Sequence, residues 1–333
     1  MSDWDDFEEH LATTLRSVTE RVLLVIASGT DPSRYVQLAG SPDRVDVEAP
    51  GTDVAADADE SALDAAGWAA PSPARPTWRA SLPFPALTAE QHGVARQCVR
   101  ALRYAYGVAS PDDLGYRAWR EPETAPTGET WSAERVERMD AGEPALKLPT
   151  LGLDADEPQA AEPRTATSAA PTRRPWKALS PAEVCDLMDF WAAQPWPQTR
   201  DEVHRSAVEQ LGWTVEVEDR TPYLINTVSG LTVPDVSTIG SRGDLSHLSL
   251  RTSDVVRPVT AESTAFLGDT FALQVRAREV AWGAPTMRRR EDSTSATWDL
   301  ASGARVSFTC AARSLSAMFQ TPQGVALDQR AGW

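Results

Sequence analysis

Apolar positions near the start of the chain follow a helical period and then an extended one. Residues 3–20 carry an apolar stripe at helical spacing, with acidic residues in the first turn where they favour the helix dipole, and they predict a helix. The stripe consists of Phe7, Leu11, Leu15 and Val18. The branched apolar run 22–27 predicts a buried central strand, and residues 34–39 predict a second strand. Valines that alternate with charged residues predict a half-buried edge strand at 44–48.

Capping residues predict two further helices in this part of the chain. Thr88-Ala-Glu-Gln91 has the form of a capping box, and apolar residues four apart continue from it until Gly107 ends the pattern. Ser110-Pro-Asp-Asp113 combines a cap residue, a proline at the first helical position and an acid at the third. It predicts a short helix that ends near Trp119.

The second half of the chain also begins with helix signals. Capping boxes at Ser180 and Thr199 predict two short helices. Alternating apolar residues then predict a short meander of strands at 213–217, 223–226 and 231–233.

A long helix and a hairpin are predicted near the end of the chain. Residues 262–280 predict a helix because five residues spaced by three and four share one face, which we expect to meet the core. These residues are Phe266, Thr270, Leu273, Ala277 and Val280, and Phe271 and Val275 widen the face. Strands at 296–300 and 305–311 are predicted to form a closing hairpin.

Between the two halves the periodic pattern disappears. Residues 121–175 are rich in Pro, Ala and acidic residues, which predicts a disordered linker. Trp131 and Leu146-Lys-Leu148 are apolar islands in it that are able to pack back onto a domain.

These patterns together predict the α+β class. We expect two small domains, each a short antiparallel sheet packed by amphipathic helices, joined by a disordered Pro/Ala/acidic linker. The predicted boundaries are 1–120 for the first domain, 121–175 for the linker and 176–333 for the second domain.

Net charge and cysteine usage restrict the environment and the partners. The 48 acidic and 32 basic residues give a formal charge of -16, which disfavours nucleic acid and anionic membranes as partners. The three cysteines form no CxxC pair and fit a reduced cytoplasm. The acidic amino terminus does not have the form of a secretory signal, and the run 22–27 is far below the roughly 20 apolar residues of a membrane span.

Motifs that carry catalytic chemistry are missing from the sequence. It contains no HExxH, GxSxG, P-loop or GxGxxG, and its four histidines have no ligand spacing. The acidic pair Asp112 and Asp113 is explained by helix capping. We therefore expect a protein that is not an enzyme and that has no cofactor and no metal; a hydrolase with scattered carboxylates is the less favoured alternative.

The first 120 residues contain a series of short segments that resemble a known family. They are Leu63-Asp-Ala-Ala-Gly-Trp68, Pro76-Thr-Trp78, Leu82-Pro-Phe-Pro85, Leu102-Arg-Tyr-Ala-Tyr-Gly-Val108, Ser110-Pro-Asp-Asp-Leu114 and Tyr116-Arg-Ala-Trp119. In this order they resemble the T-Y chaperone domains, which are related to secretion chaperones of the Tir class and to YbjN-like proteins. The resemblance implies an α+β sandwich that presents a groove of sheet and helix to a client polypeptide, without catalytic residues.

The second half resembles an uncharacterised bacterial domain, and that resemblance implies no function. It is based on Leu179-Ser-Pro-Ala-Glu183, Leu211-Gly-Trp213 and Val280-Ala-Trp-Gly-Ala-Pro285.

The leading hypothesis is a non-catalytic module that binds a client polypeptide, as a chaperone or adaptor, with a secretion or toxin system as its candidate setting. Aromatic residues are expected to contact the partner. The candidates are Trp68, Trp78, Phe84, Tyr106 and Trp119. The alternative is an immunity-type inhibitor that covers a basic toxin site with the acidic loop 43–64. The sequence does not decide whether the chain forms a homodimer.

Overall fold

A computed structural model describes residues 3–72, 75–124, 140–153, 176–218, 221–241, 243–290 and 292–331. The chain divides into two compact units, unit 1 up to residue 167 and unit 2 from residue 168. Both combine helices with an antiparallel sheet, which confirms the predicted α+β class.

Unit 1 is built on a five-stranded antiparallel sheet in the order β4-β3-β2-β1-β5. Its strands are β1 (Val22–Ser28), β2 (Tyr35–Gly40), β3 (Arg44–Ala49), β4 (Trp78–Pro83) and β5 (Leu114–Arg120). Its α-helices in the described residues are α1 (Trp4–Thr14), α2 (Glu60–Ala65) and α3 (Thr88–Arg100), and α3 continues into a π-helical turn over Ala101–Ala105.

The core of unit 1 lies between one face of this sheet and the helices. Alternate residues of neighbouring strands face each other on the covered side, as in the row formed by Leu24, Leu38 and Val47. These side chains pack with apolar residues of α1 and α3, such as Phe7 and Cys98, in one buried cluster. The prediction that β3 is an edge strand is wrong, because β4 pairs along its far side.

Strand β5 occupies a segment for which the sequence predicts a helix. Only Pro111–Asp113 form a 3-10 turn, and the chain then pairs with β1 from Leu114 to Arg120. Leu114, Tyr116 and Ala118 alternate as buried residues on the core side. The cap at Ser110 is real, but the period of two that follows it matches a strand.

Residues 140–153 lie in the predicted linker but pack on unit 1. Glu143 and Arg120 exchange backbone hydrogen bonds of 2.8 and 2.9 Å, which covers part of the outer edge of β5. Leu148 donates its N–H to the Tyr116 hydroxyl at 3.0 Å, and Leu151 is fully buried. Trp131 and the other linker residues of 125–139 and 154–175 lie outside the described residues.

Unit 2 is built on an eight-stranded antiparallel sheet in the order β10-β11-β12-β13-β9-β8-β7-β6. Its strands are β6 (Thr214–Glu218), β7 (Thr221–Ile225), β8 (Asp235–Ser241), β9 (Asp244–Arg251), β10 (Thr286–Arg289), β11 (Ser293–Asp299), β12 (Arg305–Ala311) and β13 (Ser314–Gln320). Its described helices are α4 (Pro181–Ala192), α5 (Arg200–Leu211), α6 (Ala261–Trp282) and α7 (Pro322–Ala331).

The capping boxes of unit 2 are confirmed. The Ser180 hydroxyl accepts from the Glu183 N–H at 3.2 Å, and the Glu183 carboxylate accepts from the Ser180 N–H at 2.7 Å. Thr199 and Glu202 make the same exchange at the start of α5. None of the helices in the described ranges is long and apolar enough to cross a bilayer.

Helix α6 turns only one side of the predicted face to the core. Its buried side chains include Leu267, Phe271 and Val275, whereas Leu273 and Val280 of the predicted core stripe are exposed. The prediction of the helix is confirmed. The prediction of its face is right at Phe271 and Val275, which are buried, and wrong at Leu273 and Val280.

Candidate functional site

Strand β4 forms an edge of the unit 1 sheet, and among the residues that the structure describes part of this edge has no backbone partner. In an antiparallel sheet the N–H and C=O of a residue point to the same side, and those of the next residue point to the other. Arg79 exchanges backbone hydrogen bonds of 2.7 and 3.0 Å with Ala69, on the side away from β3. Ser81, two residues further on, therefore directs its N–H and C=O away from β3 as well. Pro83 follows and has no N–H to donate.

Helix α3 runs beside this edge and forms the second wall of a groove with a volume of about 400 Å³. We call it the β4–α3 groove. Its lining residues are Ala66, Ser81, Leu82, Pro83, Glu90, Gly93, Val94, Arg96, Gln97 and Arg100. Gly93 lies in the helix wall, and a Cβ added there would meet no atom within 4 Å. The helix wall thus has no side chain at this position.

One end of the β4–α3 groove is closed by hydrogen bonds between the loop after α2 and α3. The Gln97 amide donates to Gly67 O at 3.1 Å, and the Trp68 indole N–H donates to Gln97 O at 3.3 Å. Gly67 has a φ of 87°, a left-handed conformation that suits glycine at the end of a helix. The loop is therefore held against the helix wall.

The charged residues of the groove come mainly from α3. The Glu90 carboxylate accepts from the Leu87 N–H at 2.7 Å and so serves the start of the helix. Arg96 pairs with Glu8 of α1 at 3.0 Å. Arg100 is exposed in the last turn of α3. The groove therefore combines an open strand edge with a helix wall on which Glu90 and Arg96 are engaged within unit 1 and Arg100 is exposed.

Three of the five aromatic residues predicted to contact a partner lie in the core. Trp68 and Trp78 are buried, and Trp68 holds the closed end of the groove. Tyr106 is buried as well and donates its hydroxyl to Pro50 O at 2.8 Å. Burial raises the pKa of the Tyr106 hydroxyl.

The other two candidates lie in different places. Phe84 is partly buried at the end of β4. Trp119 is partly exposed on β5, where it pairs with Leu23 of β1 on the face of the sheet opposite the helices. The structure therefore does not bring the five aromatic residues together, and their role in binding stays a prediction.

Ser81, Gly93 and Arg100 are groove residues that the sequence analysis did not select. A serine followed by Leu82 and Pro83 carries no sign that its backbone lies at an open edge. Proline at 83 is a usable signal, because proline within a sheet is confined to edge strands and strand ends. A glycine within an otherwise good helix, as at Gly93, is a second signal.

Much of the acidic loop 43–64 serves local structure. Asp59 caps α2, and the Ser61 hydroxyl and the backbone N–H groups of the cap lower the pKa of its carboxyl. The Glu60 carboxylate accepts from the Thr52 N–H at 3.0 Å, which lowers its pKa. These two carboxylates are already engaged within unit 1.

Reactive side chains are shielded or dispersed in both units. Burial raises the pKa of the Cys98 thiol to about 12, and burial also raises the pKa of Cys185. Within the part of the chain that the structure describes, no three His, Cys, Asp or Glu side chains converge as a metal-ligand group.

Two segments of the chain match models of protein families. Residues 1–120 match the family described as T3SS (YopN, CesT) and YbjN peptide-binding chaperone 3. Residues 182–321 match a family of unknown function, DUF6301. Both resemblances drawn from the sequence are thereby confirmed, and the first supports a peptide-binding, chaperone-like role. No curated protein and no solved structure matches the chain.

Proposed function

We propose that unit 1 is a non-catalytic, chaperone-like module that holds an extended segment of a client polypeptide in the β4–α3 groove. The observation that carries the proposal is the open backbone of Ser81 at an edge strand beside a helix wall. Addition of a peptide strand to such an edge is a recurring mode of recognition, in which main-chain hydrogen bonds give affinity and flanking pockets give specificity.

The groove favours a particular chemistry in the client. Ser81 supplies one N–H and one C=O, which an extended peptide satisfies with two backbone hydrogen bonds. Pro83 is exposed and offers apolar contact beside the nearly buried Leu82 and Val94, and side chains of an added strand alternate between this floor and the solvent. Arg100 favours an acidic residue at one end of the segment. The expected client segment is extended, apolar at alternate positions and acidic at one end.

The family match supports this assignment at the level of peptide binding. We extend it to a client held in the cytoplasm before secretion, because the matching family is described by secretion chaperones. The apolar groove would then shield the client segment while the acidic surface of the chain keeps the pair in solution.

The test replaces Ser81 in two ways. Because the Ser81 N–H does not pair with β3, Ser81→Pro is compatible with the edge strand but removes the donor that an added strand needs. Ser81→Ala keeps the N–H and is the matched control. A displayed library of random peptides about ten residues long, which is long enough to follow one strand, is selected on the wild-type chain. Binding of the selected peptides is then measured by fluorescence anisotropy on all three proteins.

We expect selected peptides to bind wild type and Ser81→Ala alike and to lose at least about tenfold in affinity on Ser81→Pro, since a main-chain hydrogen bond at the centre of the contact is lost. Equal binding by all three proteins would place the peptides elsewhere and refute strand addition at β4. A library that yields no binder to the wild-type chain would refute peptide binding itself.

A further inference from the structure

The backbone of Gly67 turns away from β4 one step before it would pair with Ser81. In an antiparallel ladder, residues that exchange both of their hydrogen bonds recur at every second position. Ala69 and Arg79 form such a pair, with bonds of 2.7 and 3.0 Å. The next pair would join Gly67 to Ser81, but the Gly67 carbonyl accepts from the Gln97 amide at 3.1 Å instead. The chain's own strand therefore leaves out the residue opposite Ser81.

The closed end of the β4–α3 groove limits how far an added strand can run. Ala69 already pairs with Arg79, so the next hydrogen-bonding position along this edge is filled. Trp68 is buried and donates its indole N–H to Gln97 O at 3.3 Å, which holds the chain before Ala69 against α3. A peptide strand opposite Ser81 cannot continue towards Arg79. It has to end there or leave the sheet.

A positive charge lies at this closed end. Arg100 lines the groove one helical turn after Gln97, on the same side of α3. Arg96, one turn earlier, pairs with Glu8 at 3.0 Å. No carboxylate in the described parts of the chain forms an ion pair with Arg100, and this includes the exposed Asp64 of α2. The Arg100 guanidinium is therefore available to an anionic group of a ligand.

The direction of an added strand decides which of its ends meets Arg100. An antiparallel peptide enters beside Pro83 and runs towards Arg79, so its C-terminal end reaches the closed end. Its residue opposite Ser81 donates its N–H to Ser81 O, and its carbonyl accepts from the Ser81 N–H. If this residue is the last, that carbonyl belongs to the terminal carboxylate, whose second oxygen is left for Arg100. A parallel peptide would bring its N-terminal ammonium towards the same arginine, which is unfavourable.

We infer that the β4–α3 groove holds the C-terminal end of its client, antiparallel to β4, with the terminal carboxylate between the Ser81 N–H and Arg100. The inference rests on the proposed function, because it specifies which segment of a client the groove binds. It follows from the filled position at Ala69, which ends the strand, and from the charge of Arg100, which selects a carboxylate. The partners are then chains whose last residues are extended and accessible.

Two peptide libraries separate this inference from the proposed function. Both display random segments of about ten residues, the length of one strand. In the first library only the N-terminal end is fused to the carrier, so every peptide ends in a free carboxylate, and in the second library both ends are fused. We expect binders to the wild-type chain from the first library alone. Equal enrichment from both would overturn the inference and leave strand addition at β4 in place, whereas no binder from either would remove peptide binding itself.

The contact of Arg100 with the carboxylate is measured with selected peptides made as the free acid and as the C-terminal amide. Wild type should bind the amide about tenfold more weakly, because a charge-assisted contact is lost. Arg100→Gln should weaken the acid by a similar factor and leave the amide nearly unchanged, whereas Arg100→Lys keeps the charge and should keep the preference. Arg103→Gln, at an exposed position outside the groove lining, is the matched control. An equal loss for acid and amide in Arg100→Gln would overturn the inference.

Disulfide crosslinking tests the direction of the peptide. Gly93 precedes Arg100 by seven residues in α3, about 10 Å along the helix axis, which corresponds to roughly three residues of a strand. A ten-residue peptide with a cysteine at its seventh or eighth residue should therefore crosslink to the Gly93→Cys protein, with the site assigned by mass spectrometry. A cysteine at the third or fourth residue should not, because it reaches Gly93 only in a reversed peptide. Any other pattern would overturn the proposed orientation.

Discussion

Units 1 and 2 both cover one face of an antiparallel sheet with helices, but the groups that they expose to a binding partner differ. In unit 1 these groups are backbone atoms, at Ser81 on the edge of β4 beside α3. In unit 2 they are apolar side chains, at Leu273 and Val280 of α6. Open backbone at a strand edge suits an extended ligand, whereas an apolar row on a helix suits another helix.

The proposed client site lies in unit 1 alone. There Ser81 is proposed to supply the backbone hydrogen bonds to an extended segment whose side chains fit the floor of the β4–α3 groove. In unit 2, Leu273 and Val280 are apolar side chains exposed on a helix. The following predictions test whether the two units behave as separately as this contrast requires.

The largest expected effect comes from Leu151, which lies beyond the segment that matches the chaperone family. Its side chain is fully buried in unit 1. Leu151→Ala should lower the free energy of unfolding of unit 1 by about 2–5 kcal/mol, because it removes buried methyl groups and leaves a cavity. Hydrogen exchange followed by mass spectrometry measures the two units separately, and we expect faster exchange in β1 and β5 with unit 2 unchanged.

Leu146→Ala is the control for this change, since Leu146 is only partly buried in the same segment. It should lower the free energy of unfolding of unit 1 clearly less than Leu151→Ala does. If Leu151→Ala left exchange in unit 1 unchanged, residues 140–153 would not belong to its folded structure. If it accelerated exchange in both units equally, the units would unfold together and the contrast would fail.

An intermediate effect is expected in unit 2 at Asp254. Its buried carboxylate accepts from the Lys177 N–H at 2.9 Å and from the Thr232 N–H at 2.8 Å. Burial alone would raise its pKa, but these hydrogen bonds lower the pKa below its usual value. Asp254→Asn should therefore lower the free energy of unfolding of unit 2 by about 1–3 kcal/mol at neutral pH.

The sign of the pH dependence follows from the lowered pKa of Asp254. A carboxyl whose pKa is lower in the folded state stabilises the fold above its unfolded pKa, and this contribution is lost as the pH falls through the folded pKa. The difference in free energy of unfolding between wild type and Asp254→Asn should thus be constant above about pH 5 and shrink below about pH 4. Asp186→Asn, at an exposed position of α4, should show neither effect. Unfolding in urea at several pH values measures both, and a difference that does not shrink in acid would argue against an ionised Asp254.

Local signals in the sequence were sufficient for much of the fold. The caps at Ser180 and Thr199 were predictable because a capping box involves residues only three apart. The first three strands were predictable because their apolar positions alternate over a few residues. Strands such as β8 and β9 were missed, because their serine-rich segments carry a weak apolar pattern and their place is fixed by pairing with distant strands.

Where the local sequence of a segment is compatible with two structures, contacts with residues distant in the sequence determine which one forms. Ser110-Pro-Asp-Asp113 starts a turn of helix, but pairing with β1 converts the next residues into a strand. In α6 the spacing revealed a stripe but not which of two apolar faces meets the sheet. The periodic pattern predicts the helix but does not indicate which of its faces is buried.

The candidate site was harder to predict than the fold. Aromatic residues were selected because they dominate interfaces, yet Trp78 and Tyr106 serve the core, where large apolar side chains are most stabilising. The groove depends on Ser81, whose importance comes from the absence of a neighbouring strand. Only the pairing of β4 with β3 reveals that edge.

The smallest expected change in stability, at Gly93, separates binding from folding most sharply. Gly93 is exposed within α3, and a Cβ added there meets no atom within 4 Å. Gly93→Ala should therefore raise the free energy of unfolding of unit 1 by about 0.5–1 kcal/mol, since glycine loses more conformational entropy in a helix than alanine does. Peptides selected on the wild-type chain should still bind this variant.

Gly93→Trp should also leave the fold intact but fill the groove between α3 and β4, and should abolish peptide binding. Thermal unfolding and fluorescence anisotropy on the two variants measure these effects. A Gly93→Trp protein that binds peptide as well as Gly93→Ala does would exclude the groove as the client site, because the fold would be intact and the groove occupied.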